Sequence, residues 1–477
     1  MRTALISSSL ITPAMTAQRV QEICSQFDLR NLPADFLANP YPVYAALRKQ
    51  EPIKRMPDGS FFLTRHEDLA MVYRDAATFS SDKRIEFAPK YNHAPFNQAP
   101  YALPGHDAPL YEHHTNSLVF NDAPRHTRVR KLIMGALTRR AIDAMEKGLI
   151  ELVDGLLDKL EEQQQGDLIE DFASAIPVEV IGNLLNVPHA DRGPLRGWSL
   201  AILGALEPRL TTAQEELGHR SVQAFLSYLR DLVADRRKHP GNPDQDVLTR
   251  LILGDKDTLS NSTNSESLSE VELLQNCVFL LNAGHETTTN LIGNALISLL
   301  EHPSQHAQLR SDLLSAQASA QASTLPSFSP NSLPSAQESS QTEQTTHILN
   351  VAIDEFLRFE ASNQLSNRRA VKATQLGGVN LPEGALVTLC IGAANRDPLQ
   401  FNDPEKLDLR RLPNKHLSFG FGVHQCAGLS LARLEGRIAI GRFLNRFPNY
   451  ALSELPTRGG RARFRGFLKA PFQTNAH

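Results

Sequence analysis

The chain is poor in several things. It has only 4 cysteines (Cys24, Cys277, Cys390 and Cys426) and 1 tryptophan in 477 residues. Cysteines so few and so widely spread cannot build a disulfide framework or a paired zinc site, and they fit a reducing compartment. Positive charge is not in excess: 49 Lys+Arg against 52 Asp+Glu give a formal net charge of −3. That balance removes the electrostatic pull toward nucleic acid or an anionic membrane. No apolar run reaches the about 20 residues that a spanning helix needs. The mildly apolar start, Met1 to Ile6, is broken by Ser7, Ser8 and Ser9 and stopped by Pro13, unlike a secretory signal. These absences predict a cytoplasmic protein with no membrane span and no nucleic-acid partner.

What is present suffices for a large packed core: 41% hydrophobic and 21% charged residues, a globular balance. Apolar residues recur at helical spacing over 128–137, 142–162, 221–237, 270–302 and 429–447. After Arg369 the pattern changes to short strand-like runs around the turn residues 377–384, so the fold class expected is mainly α with small β-sheets. Helical and mixed stretches interleave, which predicts one large domain. Residues 83–117 are rich in Pro, Asn, His and Tyr and read as a long loop, usually a functional feature in a compact protein. Residues 315–346 are rich in Ser, Ala and Gln, with Glu338 and Glu343 as the only charges. They read as a flexible insertion between two helices, and residues 1–38 as an N-terminal extension.

The strongest local pattern is Phe419-Gly420-Phe421-Gly422-Val423-His424-Gln425-Cys426-Ala427-Gly428, directly before the last helical stretch. Two glycines one residue apart let a backbone turn tightly and approach a flat ligand. Cys426 then stands just ahead of a helix N-terminus, whose dipole and unpaired N–H groups favour a thiolate. A lone thiolate without a partner at zinc spacing suits a metal that brings its other ligands with it, as haem iron does. A phosphate loop would need a third glycine in phase and a following Lys-Ser/Thr. A buried structural cysteine remains the alternative for Cys426 taken alone.

This string resembles the haem-binding loop of the cytochrome P-450 family, the haem-thiolate monooxygenases, in its soluble bacterial form. The resemblance implies the P-450 fold with a single haem domain over 39–477, and haem b as cofactor with Cys426 as the iron's axial ligand. Phe419, His424 and Gly428 then belong to the cofactor-binding set. Upstream, Ala283-Gly284-His285-Glu286-Thr287-Thr288-Thr289 lies within the 270–302 helix, and three threonines and a glycine suggest a distortion there. It is similar to the family's acid–alcohol pair, which implies Glu286 and Thr287 as the catalytic residues, with Ala283 against the cofactor.

His126 and Arg130 are four apart on a helix that follows Pro124 and so share a face. They resemble the family's propionate-binding helix, and Arg368 matches a further propionate arginine. Glu355 and Arg358 resemble its structural Glu-x-x-Arg pair. Lys406 stands where many relatives carry an arginine, so the resemblance implies a looser hold on Glu355. No flavin or iron–sulfur motif appears, so electrons are expected from a ferredoxin-type donor with its reductase, acting with O2 and an organic substrate on a monomeric enzyme. Arg139, Arg140, Arg410, Arg411 and Lys415 are candidates for the donor's docking face. Asn282 and Asn363 predict that the substrate pocket recognises a polar group. Glu112, His113 and His114 read as loop residues near the substrate entrance, and the arginines of 458–466 as part of a C-terminal hairpin.

Overall fold

The computed structural model describes residues 16–84, 108–243, 246–254, 267–322 and 336–475. The helices in chain order are α1 (Ala17–Gln26), α2 (Ala34–Ala38), α3 (Tyr41–Gln50), α4 (His66–Arg74), α5 (Pro109–Asn116), α6 (Arg125–Ala136), α7 (Arg139–Gln163) and α8 (Ala175–Leu184). There follow α9 (Leu195–Gly204), α10 (Thr212–Lys238), α11 (Val247–Leu253), α12 (Glu270–Glu301), α13 (Pro303–Ala322), α14 (Ala336–Phe359), α15 (Ile391–Ala394) and α16 (Leu429–Arg446). The main sheet uses β1 (Ile53–Arg55), β2 (Phe61–Leu63), β3 (Phe79–Ser80), β5 (Leu365–Ala370) and β8 (Leu386–Cys390), in the order β1-β2-β8-β5-β3. Small pairings use β4 (Gln165–Asp167), β6 (Thr374–Leu376), β7 (Val379–Leu381), β9 (Ala451–Leu452), β10 (Thr457–Arg458), β11 (Phe467–Lys469) and β12 (Pro471–Gln473). This is the mainly α architecture with small sheets that the periodicity predicts. Among the described residues, no helix is long and apolar enough to cross a membrane.

The long helix α12 runs through the middle. Its start is held by a capping box, Ser269 with Glu272, which satisfies two otherwise unpaired N–H groups. Its residues are buried nearly all round, from Leu273 and Cys277 to Leu296 and Leu299, as expected of a helix with no wet face. The helix is continuous through Gly284. Gly284 serves packing: a Cβ there would stand 2.5 Å from Ile181 Cδ1 on α8.

Three segments depart from the sequence reading. Residues 109–116 of the expected loop form α5, which starts on Pro109 and buries Leu110, Tyr111, His113 and His114; residues 85–107 lie outside the described residues. The sequence does not mark this helix because, apart from Leu110, its large buried side chains are Tyr111, His113 and His114. Helical backbone covers residues 315–322 and 336–346 of the expected insertion, where Ala and Gln are good helix formers; 323–335 lie outside the described residues. The N-terminal segment is packed into the body from α1 on, with Val20, Cys24, Phe27 and Phe36 in one cluster with Tyr44 and Phe62.

A buried ion cluster ties α14 to the chain that leads to the Cys426 loop. Arg358 Nε and Nη2 donate to the two oxygens of Glu355 at 2.7 and 2.8 Å. Its remaining donors reach the carbonyls of Asn395, Pro404 and Lys406. The expected looseness at Glu355 is not found, because Arg411 takes the third place, with Nε 3.2 and 3.1 Å from the carboxylate oxygens. Lys406 contributes its backbone carbonyl only, while its ammonium pairs with Asp403 at the surface.

Candidate haem-thiolate site

The Cys426 loop is shaped by its glycines. Gly420 and Gly422 have φ of +62° and +71°, left-handed values that strain other residues. A Cβ on Gly422 would also lie 2.4 Å from the Tyr73 carbonyl oxygen, so this glycine allows the loop to pack on the end of α4. The Cys426 N–H donates to the Phe419 carbonyl at 2.8 Å, closing the loop just before α16. Burial pushes the Cys426 thiol up; the Gly428 N–H, Arg130 and Arg433 pull the other way without cancelling it. Cys426 stands directly ahead of α16, as the sequence places it, and a bound metal would favour its thiolate form.

One cavity of ≈ 320 Å³ gathers Cys426, Phe419, Gly428, His424, His126, Arg130, Arg368, Ala283 and Thr287. Among the described residues, neither Arg130 nor Arg368 forms an ion pair with a carboxylate, and the buried His126 Nε2 has no partner. The His126 and His424 rings lie 4.1 Å apart. Burial, then Arg368, His126 and Arg130, push His424 down to about 2. Arg130 and Arg368 thus face this space with no carboxylate paired to either among the described residues, while His424 Nε2 lies 3.9 Å from Asp122 Oδ1. A flat ligand carrying carboxylates fits this demand, and a lone cysteine in the same cavity fits a metal that brings its other ligands.

Glu286 is the one predicted site residue outside this cavity. Its carboxylate accepts from Arg461 Nη1 at 2.7 and 2.9 Å. It borders a separate space of ≈ 20 Å³ with His285, Asn290 and Arg461. Thr287 does face the cavity, and its hydroxyl donates to the Ala283 carbonyl at 2.7 Å. Adjacent positions on a helix diverge by about 100°, so neighbours in sequence do not share a face. Arg461 could not be assigned this partner from sequence, being 175 residues away. The hairpin reading of its surroundings is right: β10 pairs antiparallel with β11, and Arg463 and Arg465 turn inward, to Asn367 and Glu360.

Other expectations are corrected. Arg411 belongs to the Glu355 cluster and is nearly buried, whereas Arg410 pairs with Asp312 at the surface with its side chain 61% exposed. Among the described residues, no group of three or more His, Cys, Asp or Glu is placed to hold a metal ion; His113 and His114 are buried residues of α5. Glu435 on α16 was missed altogether. It is fully enclosed at the cavity wall, and burial raises it to about 8.

The fold and this cavity define a haem-thiolate protein. The cytochrome P450 family model matches residues 202–455. The biotin biosynthesis cytochrome P450 of Bacillus subtilis (strain 168) is 32% identical over 432 residues, covering 89% of this chain and 93% of that protein. The vitamin D(3) 25-hydroxylase of Pseudonocardia autotrophica is 33% identical, covering 88% and 89%. Among solved structures, P450BioI in complex with an acyl carrier protein ligated to hexadec-9Z-enoic acid matches with TM-score 0.76, 29% identity and coverage of 92% and 99%. Myxobacterial CYP267B1 in complex with myristic acid matches with TM-score 0.75, 28% identity and coverage of 93% and 98%. The chain belongs to the cytochrome P450 family. It is a haem b monooxygenase with cysteine-thiolate ligation, and it uses O2, an organic substrate and electrons from redox partners.

Proposed function

We propose that Cys426 is the axial ligand, that His126, Arg130, Arg368 and His424 hold the haem propionates, and that Thr287 and Glu286 order the protons. Bound haem supplies the oxygen chemistry, with the thiolate pushing electron density to the iron to favour O–O cleavage. The chain's own residues position, desolvate and protonate. Ala283 keeps the wall of α12 low, Phe419 and Gly428 line the thiolate side, and the apolar cavity keeps bulk water from the reacting atoms. The observation that carries this reading is the set of acid-free arginines and the orphaned imidazole in the same cavity as Cys426.

Thr287→Ala is the test of the oxygen site. The variant is expected to bind haem and keep its carbonyl spectrum while a large share of reductant goes to hydrogen peroxide. Full coupling of reductant to product in that variant would refute the role of Thr287.

Glu286 supplies protons through water or by a turn of its side chain away from Arg461. Burial pushes it up to about 7, Arg461 pulls it down and Glu207 adds to the rise. Below that value the carboxyl is neutral and has a proton to give; above it the carboxylate is held by Arg461. Coupled turnover should therefore fall as pH rises through about 7. Arg461→Met, which removes the opposing cation, should shift the fall to higher pH. Superimposable profiles for the two proteins would take Glu286 out of the proton path.

We infer a ferredoxin-type donor with its own reductase, meeting the loop where Phe421 and Val423 are 41% and 53% exposed. The reaction is hydroxylation or epoxidation of a small or medium organic molecule by a cytoplasmic monomer. The fatty acyl ligands of the two solved relatives above suit a cavity walled by Ile181, Leu184, Ile202 and Phe279.

A further inference from the structure

Most of the cavity wall is aliphatic or aromatic, yet several buried polar atoms there have no partner. Asn282 Oδ1, Ser362 Oγ and Asn363 Oδ1 are all unsatisfied, and all three residues line the cavity. Asn282 is 2% exposed and stands next to Ala283 on α12. An enclosed acceptor without a donor is costly, and native proteins rarely keep one without a use.

The direction of the Asn282 amide follows from its neighbours. The Ser117 hydroxyl donates its proton to the His113 carbonyl at 2.7 Å. Its oxygen, 3.4 Å from His113 Nδ1, can then only accept, so Nδ1 carries the ring proton. Nδ1 also faces Gln275 Oε1 at 3.1 Å, again as donor to acceptor. Burial holds His113 down at about 4, so the ring is neutral and Nε2 is an acceptor. The group 3.3 Å from Nε2 must be the Asn282 amide nitrogen. Its carbonyl oxygen is the end left over. Ser117, Gln275 and His113 thus act as one chain that engages the Asn282 amide nitrogen and leaves its carbonyl as the unpartnered end.

We propose that Asn282, oriented by His113, is a specificity-determining residue that selects substrates carrying a hydroxyl or N–H donor on an otherwise apolar body. This rests on the reading of the cavity as the substrate chamber of a haem monooxygenase. An apolar molecule without a donor leaves the carbonyl unpaired; one that offers only a carbonyl adds a second acceptor beside it. A site built around such a group rejects the analogue that cannot satisfy it.

The test uses matched pairs that differ only in donor against acceptor: cyclodecanol, cyclododecanol and cyclopentadecanol, each with its ketone, and testosterone with androstenedione. Binding to the haem-loaded protein is followed by equilibrium dialysis and, in parallel, by the iron spin-state change. At least one alcohol is expected to bind about tenfold more tightly than its ketone. Asn282→Leu should bring that ratio to about one by weakening the alcohol. His113→Phe frees the amide to turn its N–H inward and should strengthen the ketone. No alcohol preference in any pair, including failure of every compound to bind, overturns the proposal; so does a preference that survives Asn282→Leu. The ferrous carbonyl spectrum of the same preparation reports separately on the haem-thiolate reading, since dialysis does not depend on the iron's ligand.

Discussion

Replacement of Cys426 by alanine is expected to abolish the red-shifted Soret band of the ferrous carbonyl complex and all monooxygenase activity. The shift requires sulfur on the iron, and among the described residues no second cysteine lines the cavity. Cys24, Cys277 and Cys390 are buried elsewhere, and burial holds the thiols of Cys277 and Cys390 up at about 12. Haem should still associate weakly, because Arg130, Arg368, His126 and His424 remain to meet its propionates. The diagnostic result is therefore coloured protein with a changed spectrum, read beside total haem content. A carbonyl band unchanged from the wild type would show that another side chain ligates the iron, and the site as described would be wrong.

Glu355→Ala is expected to have the largest effect on stability. Arg358 and Glu355 have fully buried side chains, and Arg411 is only 9% exposed. The carboxylate also accepts from the Asp408 N–H at 2.8 Å and from Asn414 at 3.1 Å. Removing it strands two guanidinium groups in a dry interior. Breaking one buried pair costs about 3–5 kcal/mol, a large part of the about 5–15 kcal/mol that holds a native protein together. The variant should accumulate as insoluble or haem-free protein, with any soluble fraction melting well below the wild type. Lys406→Ala is the contrast. Its side chain is 73% exposed, so a change within about 0.5 kcal/mol is expected. If chemical denaturation gave the two variants similar midpoints, the cluster would not be the support described here.

The comparison of Lys406 with Arg411 shows where sequence reading stops. By resemblance to relatives an arginine is expected shortly after Asp403-Pro404, where this chain has Lys406. The interior needs a guanidinium at one point in space, and a residue five positions later, Arg411, reaches it. Glu286 and Thr287 show the complementary case. They are adjacent in the chain, but the helix turns the two side chains toward different spaces, and Arg461 from the C-terminal hairpin holds the acid. The α5 helix escaped notice because His113, His114 and Tyr111 do not mark out an apolar face, although all three are buried.

Local chemistry was enough for the class of protein. A cysteine at the foot of a helix behind a Gly-x-Gly turn, a helix with Ala283 and Thr287 on one wall, and His126 four residues from Arg130 are short-range patterns, readable from backbone geometry over a few residues. The mainly helical fold follows likewise from the period of apolar residues. Tertiary structure decided which groups meet: Arg411 with Glu355, Arg461 with Glu286, and His113 with the Asn282 amide nitrogen. Those choices depend on burial and on partners far apart along the chain, where the cost of an unpaired group in a dry interior selects the arrangement and no periodicity records it.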